Sequence, residues 1–60
     1  MDHTAIFESL RRRLFGLAYR MVGVRGDAED IVQEAYVRWH EVDRSQVRNA
    51  EAWLVATLVH

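Results

Sequence analysis

Asp30 and Glu34 stand one helical turn apart, and paired carboxylates are the first residues to test for general acid–base chemistry. That role needs a carboxyl group whose pKa is pushed up by burial, and nothing on an exposed helix face does so. The other reactive residue types are no better placed. His3, His40 and His60 are widely spaced, without Cys or acidic partners at ligand spacing, so no metal site is expected. Ser9 and Ser45 have no neighbouring base in a motif. Gly23-Val-Arg-Gly26 lacks the lysine and strand context of a phosphate-binding loop. So small a core leaves no room for a pocket of ~300 Å³. These residues point away from an enzyme and from any cofactor, and toward binding.

Composition narrows the class of binding. The chain has 60 residues, half of them hydrophobic, with no cysteine and no proline. That is one domain with marginal burial and no disulfide to staple it. Its eight basic residues are all arginine and are outnumbered by nine acids, giving a net charge of -1. A general duplex-DNA footprint of excess basic charge is missing. The longest apolar stretch, Trp53 to Val59, falls short of the ~20 residues a membrane span needs. The N-terminus has no basic region followed by an apolar one, so a cytoplasmic protein is expected.

The elements that must position these residues are all helical. Ile6, Phe7, Leu10, Leu14, Leu17, Ala18, Met21 and Val22 fall on one broad side of a first helix over residues 4–22. Thr4 is its expected N-cap and Gly23 its stop. Arg11 projects to the edge of that arc and is expected to snorkel. Arg11, Arg12 and Arg13 fan around the axis, so they form no single patch. Arg13 and Arg20 share a face and are expected to pair with Glu8 or with acids of the second helix. Asp27 is the expected N-cap of that second helix, over residues 28–41, with Asp30 at the capping-box position. Residues 42–48 form a polar connector, and Asn49 caps a third helix over residues 50–60.

The second helix has two distinct sides. Ala28, Ile31, Val32, Ala35 and Trp39 form its core stripe, with Tyr36 at the edge. Within about 60° of Asp30 on the other side sit Gln33, Glu34, Val37 and Glu41. An apolar centre with a one-signed polar rim is the pattern of a partner-binding patch. A solvated face with a single exposed valine reads the same way, so pattern alone leaves both open. The third helix is apolar on every side, which predicts burial in something larger than 60 residues.

The segment Asp27-Ala-Glu-Asp-Ile-Val-Gln-Glu-Ala-Tyr-Val-Arg-Trp39 resembles region two of bacterial RNA polymerase sigma factors, the extracytoplasmic-function class of the sigma-70 family. Leu14-Phe-Gly-Leu-Ala-Tyr-Arg-Met-Val-Gly23 and Ala50-Glu-Ala-Trp-Leu54 fit the same family in order and spacing. The likeness runs from about Phe7 to His60. It implies an all-α, compact, three-helix bundle-like domain over residues 1–60, cut from a longer protein within its last helix. It also implies docking on the clamp helices of the polymerase β′ subunit, followed by recognition and melting of the minus-ten promoter element as single-stranded non-template DNA. Asp30, Gln33 and Glu34 occupy the family's polymerase-facing positions, and Val37 continues that face.

The family's DNA-reading surface maps to the connector and the third helix, making Arg44, Arg48, Asn49 and Trp53 its candidates here. Each has an ordinary role open to it: solvation for Arg44, an ion pair for Arg48, capping for Asn49 and core packing for Trp53. The family's basic continuation of the last helix does not precede His60, which leaves few phosphate contacts. An anti-sigma or regulatory domain is a further implied partner. The alternative to a polymerase role is an oligomerising helical module, paired as a homodimer through Leu58 and Val59 of the third helix.

Overall fold

The computed structural model describes residues 3–59, with the backbone alone for His3 and Arg44. In chain order the elements are α1 (His3–Val22), α2 (Arg25–Glu41), a short 3-10 turn (Arg44–Gln46) and α3 (Ala50–Leu58). Among the described residues there is no strand, so the all-α expectation holds.

The helix ends follow from local chemistry. Gly23 has φ of 72°, a left-handed conformation that costs glycine nothing, and its N–H donates to the Tyr19 carbonyl at 2.7 Å. That closes α1. Asn49 caps α3 as expected: its side-chain oxygen accepts from the Ala52 N–H at 3.0 Å. The other two starts differ from expectation. α1 begins at His3, which puts Thr4 inside its first turn. α2 begins at Arg25 rather than Ala28, and its N-cap is Val24, not Asp27. After Gly23 a single extended residue, Val24 (φ -123°, ψ 126°), is enough to redirect the chain. Asp27 therefore lies in the first turn, where its charge suits the positive end of the helix dipole without capping it. Asp30 sits a turn further in, outside any capping box. The connector is tied by Asp43, which accepts from the Ser45 hydroxyl at 2.6 Å and the Ser45 N–H at 3.1 Å.

α1 and α2 make the main packing interface, and α3 lies against both. The core is Phe7, Leu14 and Ala18 of α1, Ala28, Val32, Ala35 and Trp39 of α2, and Leu54 and Leu58 of α3. Each of the larger side chains contributes roughly 1.5–3 kcal/mol by leaving water. Ile31 and Tyr36 are half-buried at the margins of the α2 stripe. Tyr36 meets Phe7 edge-to-face at 5.1 Å, and the Trp39 and Trp53 rings lie 5.6 Å apart. Met21 and Val22, expected on the buried side of α1, are exposed instead.

α3 resolves its own puzzle. Leu54 and Leu58 point inward, and Trp53 and Val55 are half-buried. The outward side falls to Ala52 and Ala56, with Val59 just beyond the last turn. A helix apolar all round thus tolerates a surface position by turning its smallest residues to water. Leu58, expected as a dimer contact, belongs to the core instead. The expected run of this helix to residue 60 ends at His60, which lies outside the described residues. No described helix is long and apolar enough to cross a membrane.

Candidate functional site

Burial of the Ala28, Val32, Ala35 and Trp39 stripe dictates what α2 shows to solvent. Asp30, Gln33, Glu34 and Val37 are all exposed, and together they form a ridge along the helix. Val37 is 45% exposed, a β-branched apolar side chain held in water at the C-terminal end of this ridge. The rim is not purely acidic: Arg38 reaches back one turn to Glu34, with 3.6 Å between Nη2 and Oε1. Exposed i,i+4 pairs of this kind are weak and readily exchanged for another partner. Asp30 makes no ion pair among the described residues.

A valley runs along each side of the ridge. The one shared with α1 holds about 450 Å³ and is lined by Glu8, Arg11, Arg12, Phe15, Arg25, Glu29, Val32 and Gln33. The one shared with α3 holds about 240 Å³, with Asp30, Glu34 and Arg38 at its lip and Ile31, Ala35 and Leu58 beneath. Both are open furrows on the surface between crossing helices, not pockets within the core. Gln33 belongs to the first valley, Asp30 and Glu34 to the second.

Arg11 snorkels as expected. Its Nε and Nη2 donate to the two Glu8 carboxylate oxygens at 2.9 Å each. Its guanidinium carbon also lies 5.1 Å from the Phe7 ring centre and 5.7 Å from that of Tyr36. The hydrogen bond from Arg11 holds the Glu8 carboxyl below its ordinary pKa, and the same bond raises that of Arg11. Arg13 pairs with neither Glu8 nor α2. It bridges to Glu51 and so ties α1 to the start of α3. No sequence spacing signals that pair, since it exists only once the helices have packed.

The residues proposed for DNA lie away from the ridge, on the connector and the start of α3. Arg48 is exposed and makes no ion pair among the described residues. The Asn49 oxygen is committed to its cap, leaving the amide NH₂ to donate outward. Trp53 is half-buried against Trp39. Arg44 opens the 3-10 turn, and its side chain is outside the described residues. Of the three histidines, His40 lies tilted against the Tyr36 ring at 4.4 Å, while His60 and the His3 side chain are outside the described residues. Among the described residues no acidic, histidine or cysteine cluster could hold a metal ion.

The sigma-70 region 2 family matches residues 6–60, nearly the whole chain. The chain belongs to the sigma-70 region 2 family. The extracytoplasmic-function RNA polymerase sigma factor SigJ of Mycobacterium tuberculosis is 46% identical over 52 residues. That match takes in 87% of this chain and 16% of the length of SigJ. No solved structure matches the chain. The likeness to region two of extracytoplasmic-function sigma factors, read from the Asp27–Trp39 segment and its flanks, is therefore borne out.

Proposed function

We propose that this domain is a transcription-initiation module that docks on the β′ clamp helices of bacterial RNA polymerase through the α2 ridge. The observation that carries this reading is the exposure of Asp30, Gln33, Glu34 and Val37 on one side of α2 in a sigma-70 region 2 chain. Three polar side chains offer acceptors and an amide for a basic partner surface, and Val37 offers a small apolar anchor. A complementary basic clamp would be steered onto the ridge and would take Glu34 from its weak pairing with Arg38.

In the same proposal, the connector and the start of α3 help recognise and melt the minus-ten element. Arg48 supplies phosphate contact, Asn49 an outward donor, and the half-exposed edge of Trp53 a stacking surface. Arg44 joins them by position alone. With so few cations on this surface, docking should contribute more than DNA affinity does.

The test is binding of the chain to purified core polymerase and to isolated β′ clamp helices. Glu34→Lys is expected to weaken binding at least about tenfold, and Gln33→Ala by a smaller factor. Unchanged affinity in both variants, with helical content retained, would remove the ridge from the interface.

A further inference from the structure

We propose that the valley between α1 and α2 is a second half of the docking surface, and that Arg12 and Arg25 receive a carboxylate side chain of the polymerase partner there. The proposal rests on the docking reading of the α2 ridge. Gln33 belongs to both the ridge and the valley wall, so a partner seated on Gln33 overhangs the valley. Its floor is apolar, formed by Phe15 and Val32, while its walls carry the charges.

Those charges do not cancel. Glu8 is fully engaged by the two hydrogen bonds from Arg11. Arg25 meets Glu29 only at 3.8 Å, with the two side chains 81% and 64% exposed, a contact that solvent screens heavily. Arg12 makes no ion pair among the described residues. The guanidinium of Arg25 is also held over the Phe15 ring at 5.8 Å, on the valley side of the α1–α2 turn. With three arginines against two glutamates, the valley carries one surplus positive charge, and Arg12 on the α1 wall is the cation without an ion-pair partner among the described residues. Across the ridge the opposite holds, because Asp30 has no ion-pair partner among the described residues and Glu34 shares only Arg38. A partner that lays an acid on the α1 side and a base on the α3 side fits in one orientation only, since the reverse sets like charges together. A single carboxylate suits the α1 valley better than a phosphate strand does. Glu8 and Glu29 line the same walls and would repel a polyanion.

The experiment measures affinity of the chain for core polymerase and for single-stranded minus-ten DNA, with helical content checked for every variant. Arg12→Glu is expected to weaken polymerase binding about tenfold, and Arg12→Glu with Arg25→Glu more than that. Arg12→Lys, which keeps the charge, should stay within about threefold of the parent. If Glu34→Lys weakens binding while Arg12→Glu leaves it unchanged, the valley proposal is overturned and the ridge stands. If neither variant matters, or the parent chain does not bind polymerase, the docking reading falls and the valley falls with it. A loss confined to single-stranded DNA would assign the two arginines to phosphate and likewise overturn the carboxylate.

Discussion

Arg11 and Glu8 show how a single side-chain pair sets a pH response. In the folded chain the Arg11 hydrogen bond keeps the Glu8 carboxyl below its ordinary pKa. A depressed carboxyl pKa stabilises the fold above the unfolded pKa and loses that contribution as pH falls through the folded value. Glu8→Gln should therefore lower the thermal midpoint slightly at about pH 7 and change it less at about pH 3, where the parent carboxyl is itself protonated. Circular dichroism melts of the two chains at both pH values check this. The effect is small because Glu8 is half-exposed. Arg11 over Phe7 and Tyr36 contributes chiefly by covering the aromatic edge of the core. The tendency of Arg11 to snorkel was legible from its place on the α1 arc. Its aromatic partner Tyr36 was not, because that ring arrives from another helix.

At the scale of elements, two glycines make opposite predictions from the same substitution. Gly16 lies inside α1, and a Cβ added there meets nothing within 4 Å. Gly16→Ala should stabilise the domain by roughly 0.5–1 kcal/mol, because alanine loses less backbone entropy on forming a helix. Gly23 also has open space around it, but its φ of 72° is the left-handed conformation that a Cβ disfavours. Gly23→Ala should cost roughly 1–2 kcal/mol. Urea unfolding of both variants tests the pair, and equal signs would contradict the helix end described here. The stop at Gly23 and the cap at Asn49 were readable because each depends on one residue's own chemistry. The start of α2 was not. A strong capping residue at Asp27 drew the expected boundary, whereas the chain had already turned at Val24 and needed only exposed backbone there.

The molecule measures 33 × 20 × 16 Å, so each of its three mutually packed helices keeps one side in water. That explains why the same chain carries a polar ridge on α2 and an apolar valley elsewhere. Leu17, Met21, Val55, Leu58 and Val59 line the latter together with Arg20, and Met21 is 47% and Val59 61% exposed. Self-association through this end is the alternative role for the third helix. It predicts dimers at high concentration, lost in Val59→Asp, by sedimentation equilibrium. Leu58→Asp is no test of it, since Leu58 is in the core and the charge would unfold the chain.

Sequence by itself determined the helical class, the inward stripe of α2 and the outward ridge of Asp30, Gln33, Glu34 and Val37. All of these follow from periodicity within one helix, where spacing alone fixes the face. The order and spacing of the segments at 14–23, 27–39 and 50–54 likewise carried the family assignment. Tertiary structure decided the rest. Leu58 goes inward while Ala52 and Ala56 go outward, a choice that the uniform polarity of α3 cannot make. Arg13 meets Glu51, Arg25 meets Phe15, and the ridge gains a valley of opposite charge on each flank. Each of these depends on the crossing of two helices, and no spacing within one of them encodes where the other will lie.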